Sequence, residues 1–180
     1  IKPYKILINL TDLCNSRCTF CDIWKIKPQN EINLQNIKSS LKNYENDLYW
    51  ISFSGGEVTL VNYFYDLVDY LKENCKNLRI IAFTTNALAP EKALRFSNYC
   101  KKKGFDTLIT ISLDGNKEIH DKIRGIKGNF EKCLTLKRKL DEAKISAHYG
   151  ITVSETNSKL IQQNFNNLPQ PIKAVTFIHS

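Results

Sequence analysis

The sequence predicts an α/β fold in which six parallel strands and five helices form a partial (β/α)6 barrel. Short β-prone runs alternate with amphipathic segments along the chain, and this alternation favours a parallel sheet with right-handed crossovers. Six runs are fewer than the strands of a closed barrel. We therefore expect a six-stranded open barrel with a lateral gap that could admit a bulky substrate.

The predicted strands are apolar or alternating runs that end at polar or glycine-rich turns. They occupy residues 5–10, 48–54, 78–83, 107–113, 145–153 and 172–178. Turn signals such as Gly55-Gly56 and Asp114-Gly115 end two of them. All six strands are thus predicted to point their carboxyl ends at one edge of the sheet, where α/β proteins carry their functional groups.

The first three helices are predicted from apolar residues at helical spacing. The first spans residues 32–44, and the second follows Thr59, which we expect to cap it. The third begins at Pro90 and ends at Gly104, in keeping with the usual preference for proline at the start and glycine at the end.

The last two helices are predicted after a polar segment. Residues 116–128 are polar and are expected to form an excursion over the site, without a helix. Asn129 is expected to cap the fourth helix, and Thr156 or Asn157 to begin the fifth.

Length and composition favour one domain. The chain has 180 residues, of which 42% are hydrophobic, so one core is expected within residues 1–180. No signal peptide or membrane-spanning run is apparent, and the cysteine usage fits a reducing cytosol, so we expect a cytoplasmic protein. The chain lacks methionine and stops soon after a predicted strand. We therefore expect that residues are missing at one or both ends; either a C-terminal extension is among them or the protein lacks one.

The net charge of +8 arises from 26 basic and 18 acidic residues. This excess would favour an anionic partner. However, the lysines are spread over every predicted helix, and aromatic residues are not interleaved with them in an RNA-binding pattern. A solvated surface is the better interpretation, and nucleic acid is disfavoured as a partner.

The cysteines Cys14, Cys18 and Cys21 form a Cys-x3-Cys-x2-Cys loop directly after the first predicted strand. Three closely spaced thiolates can hold three irons of a [4Fe–4S] cluster and leave the remaining iron open to a substrate or cofactor. A structural zinc site is the alternative, but such sites usually combine two cysteine pairs. The other cysteines stand singly in segments with helical periodicity, at Cys75, Cys100 and Cys133.

The cysteine loop, with Phe20 before its last cysteine, resembles the signature of the radical S-adenosylmethionine (SAM) superfamily. The resemblance implies a [4Fe–4S] cluster on the three cysteines, whose open iron is chelated by the amine and carboxylate of SAM. It also implies that an electron from a flavodoxin- or ferredoxin-type donor cleaves SAM to a 5′-deoxyadenosyl radical, which abstracts hydrogen from a substrate. Phe20 would then lie near the adenine.

Two further motifs support this resemblance. Ser54-Gly55-Gly56-Glu57 is similar to the Gly-Gly-Glu motif that contacts the amino group of SAM. Ser112-Leu113-Asp114-Gly115, followed by His120-Asp121 and Arg124-Gly125, is similar to a stretch found in members with a C-terminal SPASM or twitch extension. The resemblance implies a radical SAM barrel and a SAM site that contains Phe20, Gly55, Gly56, Glu57, Thr85, Asn86, Ser112, Asp114, Arg124 and Val153.

Several alternatives stay open. No residue is assigned a direct catalytic role, and Thr85, Asn86, Asp114 and Val153 are also explained as caps, turns or core. The SPASM-like stretch favours a peptide or protein substrate, but related enzymes act on nucleotides, cofactors or lipid precursors. A protein of another class, an iron–sulfur electron carrier or sensor that does not cleave SAM, explains the cysteines and leaves Arg124 without a role.

Overall fold

The computed structural model describes residues 3–27 and 32–178. All six strands are parallel and follow one another across a single sheet in chain order, which curls into a half-barrel. The predicted six-stranded parallel fold is thereby confirmed. The strands are β1 Lys5–Asn9, β2 Trp50–Ser54, β3 Ile80–Thr85, β4 Asp106–Ser112, β5 Ser146–Val153 and β6 Ile172–Phe177.

Six α-helices, one more than predicted, occur in the described part of the chain. They are α1 Leu34–Leu41, α2 Phe64–Asn74, α3 Pro90–Lys102, α4 Lys117–Arg124, α5 Asn129–Glu142 and α6 Ser158–Asn164. Short 3-10 turns lie at Ile23–Lys25, Val58–Leu60 and Phe165–Asn167. None of the helices in the described ranges is long and apolar enough to cross a bilayer.

The core lies between the sheet and the helices. Phe53 of β2 and Phe83 of β3 meet Phe64 of α2 edge to face, with ring centroids 5.9 Å apart in both pairs. Phe64 in turn stacks on Phe96 of α3 at 3.9 Å. Alternate residues of these strands face the other way, as the period of two along a strand requires. The helix-facing side is therefore closely packed, and the opposite side is the concave face of the half-barrel.

The prediction of a helix-free excursion at residues 116–128 is wrong, because α4 forms within this segment. Asn116 caps its start by accepting a bond from the Ile119 N–H at 3.1 Å, and Gly125 ends it in the left-handed conformation, with φ of 66°. The buried side of α4 includes His120 and Arg124. These polar residues conceal the helical pattern in the sequence.

Two predicted caps are also wrong. Thr59 lies in a 3-10 turn before α2, and its N–H donates to the Glu57 carboxylate at 3.1 Å. Asn129 is the first residue of α5 and is fully buried. Asp121 supplies the cap of α5, accepting a bond from the Phe130 N–H at 2.8 Å. By contrast, Asn157 directly precedes α6. It is one of the two residues predicted to begin the last helix.

Candidate active site

A cavity at the carboxyl edge of the sheet collects residues from all three motifs. Its walls are the cysteine loop after β1, the diglycine turn after β2, the end of β3, the end of β4 and the last residue of α4. It is lined by Cys14, Ser16, Cys18, Phe20, Cys21, Ile23, Ser54, Gly55, Gly56, Glu57, Thr84, Thr85, Asn86, Ser112 and Arg124.

The three thiols of the cysteine loop are free and share this cavity. Cys18 is buried, and Cys14 and Cys21 are partly buried. Burial raises the pKa of the Cys14 thiol, and the neighbouring Cys18, Glu57 and Cys21 raise it further, against a bond from the Ser16 backbone that lowers it. Loading with metal would therefore have to displace protons from this loop.

The thiols do not converge on one point. Among residues 3–27 and 32–178, no group of three His, Cys, Asp or Glu side chains is placed to hold a single metal ion. The ligands of one zinc ion lie within about 2.3 Å of it and so must converge. In an iron–sulfur cluster each thiolate binds a different iron, so the three sulfurs need not converge on a single point.

The diglycine turn holds the start of the cysteine loop at very short range. The Gly56 N–H donates to the Thr11 carbonyl at 2.7 Å, and the Glu57 N–H donates to the Leu13 carbonyl at 2.8 Å. A Cβ on Gly56 would lie 2.1 Å from the Leu13 oxygen, and Gly55 has φ of 127°. Only glycines fit here, because the two backbones nearly touch.

The other side of the cysteine loop is bonded to the end of α4. The Arg17 N–H donates to the Arg124 carbonyl and the Thr19 N–H to the Ile123 carbonyl, both at 2.9 Å. The Ser16 hydroxyl donates to the same Arg124 carbonyl at 3.1 Å. The cysteine loop is therefore hydrogen-bonded on one side to the turn after β2 and on the other side to the end of α4.

Glu57 is buried and its carboxylate accepts four protein hydrogen bonds. Its Oε1 accepts from the Thr59 N–H at 3.1 Å and from the hydroxyls of Thr59 and Thr85, both at 2.8 Å. Its Oε2 accepts from the Asn86 N–H at 2.8 Å. Since a carboxylate oxygen has more than one lone pair, Oε2 keeps an acceptor position, and Glu57 lines the cavity.

Arg124 and Asp114 form a buried ion pair beneath the cavity. Arg124 Nε donates to Asp114 Oδ2 at 2.6 Å, and the side chains are 9% and 0% exposed. Arg124 Nη1 lies 3.6 Å from the Cys18 sulfur, and its guanidinium carbon lies 5.6 Å from the centre of the Phe20 ring. The Asp114 charge raises the pKa of Arg124 against the effect of burial, so the guanidinium is a fixed positive charge at the cavity wall.

A buried hydrogen-bond chain connects the fourth strand to the third. The Asp114 N–H donates to His120 Nδ1 at 3.1 Å, so the neutral ring carries its proton on Nε2, 3.2 Å from Asn129 Oδ1. Asn129 Nδ2 donates to the Asn86 carbonyl at 2.8 Å. Burial, followed by the charge of Arg124, lowers the pKa of His120 to about 4. His120 is therefore a neutral internal link and has no surface role.

Comparison with protein-family models decides the family. The Radical SAM superfamily model matches residues 8–158, which include the end of β1, the cysteine loop and the strands β2 to β5. The chain belongs to the radical SAM superfamily.

Curated relatives agree with this membership. The chain is 30% identical over 166 residues to a cysteine-type anaerobic sulfatase-maturating enzyme of Clostridium novyi, covering 83% of this chain and 43% of the relative. It is 29% identical over 158 residues to the sporulation killing factor maturation protein SkfB of Bacillus subtilis, covering 87% and 37%. It is 28% identical over 180 residues to an Fe-coproporphyrin III synthase of Methanosarcina barkeri, covering 97% and 43%. The chain thus spans less than half the length of these relatives.

Solved structures share the fold. Native anSMEcpe with bound AdoMet matches with a TM-score of 0.76 and 22% identity, covering 98% of this chain and 52% of that one. Its complex with AdoMet and the Kp18Cys peptide matches with a TM-score of 0.74 and 22% identity, covering 97% and 50%. The likeness confirms the radical SAM type of partial barrel.

Most residues assigned to the SAM site from the radical SAM motifs line the cavity together. Two do not. Asp114 lies behind Arg124 with no exposed surface, and Val153 contacts Ile151 and Leu168 in a small separate cluster. In this geometry Asp114 acts on the cavity through Arg124, and Val153 is core.

Three polar residues of this radical SAM site were not predicted from the sequence. Ser16 is buried with its hydroxyl 3.3 Å from the Cys18 sulfur, Asn15 Oδ1 accepts from the Asn86 side chain at 2.8 Å, and Asn129 joins His120 to Asn86. Ser16 and Asn15 lie inside the cysteine run, and this position could have indicated that they belong to the site. The sequence has no such indication for Asn129, because a residue at the start of a helix is normally interpreted as a cap.

Proposed function

We propose that this chain binds a [4Fe–4S] cluster through Cys14, Cys18 and Cys21 and binds SAM beside it as a radical enzyme. When bound, this pair supplies a one-electron cleavage of SAM that yields methionine and a 5′-deoxyadenosyl radical, which abstracts hydrogen from a substrate. The observation that carries the proposal is that the three thiols, the diglycine turn and Arg124 line one cavity.

The cavity has groups that fit each part of SAM. Glu57 Oε2 has one protein donor, the Asn86 N–H, and offers its remaining acceptor position to the SAM amine. Arg124 uses Nε for Asp114 and Nη1 for Cys18, which leaves Nη2 for the SAM carboxylate, with the Ser112 hydroxyl nearby in the lining. The half-buried Phe20 ring is an apolar surface for the adenine.

The residues around the cavity are connected by buried hydrogen bonds that hold them in position. The buried chain from Asp114 through His120 and Asn129 to Asn86 fixes the third and fourth strand ends relative to each other. Side chains that are already bonded need no rearrangement when the ligand binds, so the binding energy is used for orientation. In the proposed enzyme the protein positions SAM and excludes side reactions.

We propose a peptide or protein as the substrate. A second cavity continues from the first along the concave face, and its lining contains no charged side chain: Thr84, Thr110, Ser112, Gly150, Ile151, Thr152, Ala174 and Thr176. Hydroxyl groups suit neutral amides, whereas phosphates and carboxylates are usually held by Arg or Lys. The maturation enzymes among the relatives, and the peptide in one solved neighbour, support this substrate class.

A small-molecule substrate is the second candidate. The identity to Fe-coproporphyrin III synthase extends over 97% of this chain, so the barrel alone does not separate the two classes. A nucleotide or a lipid precursor belongs to the same candidate.

Three further proposals concern the protein as a whole. A flavodoxin- or ferredoxin-type protein is proposed as the electron donor, and a reducing cytoplasm is proposed as the location. Residues 1–180 are proposed to form one radical SAM core domain.

The proposal is tested with anaerobically reconstituted protein. We expect cluster absorption in the visible range and release of 5′-deoxyadenosine from SAM upon addition of dithionite. Cys18→Ala should lose both, whereas Cys75→Ala, which removes a buried thiol from the core at the end of α2, should keep both. Retention of both signals in Cys18→Ala would refute the assignment. Cluster formation without SAM binding in calorimetry would instead favour an electron carrier.

A further inference from the structure

The Cys18 sulfur lies among polar groups in a buried part of the cavity wall. Ser16 Oγ lies 3.3 Å from this sulfur, and Arg124 Nη1 lies 3.6 Å from it. All three residues are buried, and Ser16 is only 1% exposed. Water therefore does not compete for the Ser16 hydroxyl, and a hydrogen bond that it makes is electrostatically stronger than the same bond at the surface.

The Ser16 hydroxyl has one hydrogen and two neighbours that can accept it. In the structure it donates this hydrogen to the Arg124 carbonyl at 3.1 Å, and the Cys18 thiol can donate its own hydrogen to Ser16 Oγ. A cysteine sulfur that is bound to iron carries no hydrogen, so it can only accept. Metal binding at Cys18 therefore leaves Ser16 as the one hydrogen donor of this pair.

The Arg124 carbonyl does not depend on the Ser16 hydroxyl. This carbonyl also accepts a bond from the Arg17 N–H at 2.9 Å, so it stays paired when the hydroxyl turns away. A metal-bound thiolate carries negative charge, and hydrogen bonds to charged acceptors are about twice as strong as those to neutral ones. Rotation of the Ser16 hydroxyl hydrogen completes the change of partner without any movement of the loop.

Arg124 contributes a second donor toward the same sulfur. Its Nε is bonded to Asp114 Oδ2 at 2.6 Å, and this contact fixes the direction of the guanidinium and of Nη1. The sulfur of Cys14 has a longer contact, 4.0 Å from Asn86 Nδ2. Donors therefore approach the Cys18 sulfur more closely than the Cys14 sulfur.

We propose that the Ser16 hydroxyl donates a hydrogen bond to the Cys18 sulfur of the bound [4Fe–4S] cluster and thereby raises the reduction potential of that cluster. This inference rests on the proposed function, because it requires a cluster on the cysteine loop. Reduction adds one electron, and part of its charge lies on the sulfur ligands. A donor to such a sulfur stabilises the reduced cluster more than the oxidised one. Ser16 thus acts through Cys18 and is a positioning residue.

The test is a potentiometric titration of the reconstituted full chain without SAM, followed by the electron paramagnetic resonance signal of the reduced cluster. Ser16→Ala removes the hydroxyl, and Ser16→Thr retains it. Ser97→Ala is the matched control, because Ser97 is a fully buried serine of α3 whose hydroxyl also donates to a backbone carbonyl, that of Ala93, at 2.8 Å. Iron bound per chain is measured for each variant before the titration.

We expect a lower potential only where the hydroxyl beside Cys18 is lost. At the wild-type midpoint potential, the ratio of reduced to oxidised cluster in Ser16→Ala should fall about tenfold, which is a shift of about 59 mV for a one-electron couple. Ser16→Thr and Ser97→Ala should keep the wild-type midpoint. An unchanged midpoint in Ser16→Ala would overturn the proposal, and so would equal shifts in Ser16→Ala and Ser97→Ala.

A second measurement can be made on the wild type alone. In resonance Raman spectra of the oxidised cluster, the stretching bands of the bonds between iron and cysteine sulfur should shift on transfer to D2O, and the shift should be smaller in Ser16→Ala. Absence of a shift in the wild type would overturn the proposal even if Ser16→Ala fails to fold. A wild-type cluster that forms but releases no 5′-deoxyadenosine from SAM with dithionite would refute the proposed function, and the midpoints would still decide the role of Ser16.

Discussion

Asp114 Oδ2 lies 2.6 Å from Arg124 Nε, and this buried contact joins the fourth strand to the cysteine loop. Asp114 Oδ1 also accepts a bond from the Thr152 N–H of β5 at 2.9 Å. At the other end, the Arg124 carbonyl accepts bonds from Arg17 and Ser16 of the cysteine loop. The ion pair therefore supports the cavity from below and fixes the direction of the guanidinium.

Removal of Asp114 should cost much more stability than removal of a surface acid. Asp114→Ala leaves the buried Arg124 charge without its partner, and we expect the free energy of unfolding to fall by about 3–5 kcal/mol. Asp141→Ala breaks the Lys137 pair, in which the Asp141 side chain is 54% exposed, and should cost less than about 1 kcal/mol. Urea titration of the cofactor-free variants checks this. Similar losses in both variants would contradict the buried role of the pair.

A side chain at Gly56 should displace the cysteine loop. Gly56→Ala places a Cβ 2.1 Å from the Leu13 oxygen, so we expect lower stability and a loss of iron bound per chain after reconstitution. Gly128→Ala is the control, because its Cβ would have no atom within 4 Å although φ is 81°. It should lose about 1–2 kcal/mol from backbone strain and keep its iron. Normal iron content in Gly56→Ala would show that the close approach is not needed.

Glu57→Gln should destabilise the protein even without SAM. The carboxylate accepts four bonds from N–H and O–H donors, and an amide NH2 in place of one oxygen would face a donor. We expect a loss of about 1–3 kcal/mol in the free energy of unfolding, the usual cost of an unpaired buried polar group. Chemical denaturation of the cofactor-free protein measures it. Unchanged stability together with weaker SAM binding would instead indicate that Glu57 acts only on the ligand.

His120 should make stability depend on pH in mildly acid solution. Its folded pKa of about 4 lies below the ordinary value of 6.5, so the unfolded chain takes up the proton first. Its contribution is fully present above pH 6.5 and is lost as the pH falls toward about 4, with a total loss of about 3 kcal/mol. The difference between wild type and His120→Gln, measured by urea titration at several pH values, isolates this effect. A constant difference across that range would exclude it.

The main architecture was predictable because its signals are local. Each of the six strands is a β-prone run with a clear end, and the cysteine loop follows the first of them directly. Parallel strands bring their carboxyl ends to one edge, so the three motifs had to share that edge. No knowledge of side-chain packing was needed for that step.

The helix α4 and the polar chain behind the cavity were not predictable in the same way. The buried positions of α4 include His120 and Arg124, which a hydrophobic pattern counts as solvent-facing. The cap Asn116 and the end glycine Gly125, separated by one short helix, were the signals that could have revealed it. Partners such as Asn129 and Asn86 are far apart in the chain, and only the packed sheet brings them together.

The most direct test of the central claim is the electron paramagnetic resonance spectrum of the reduced, reconstituted protein, recorded with and without SAM. If three cysteines leave one iron open and SAM binds to it, adding SAM will change the g-values of the [4Fe–4S]⁺ signal. An identical spectrum in the presence of saturating SAM would contradict the account, because it would mean that the cofactor does not reach the cluster.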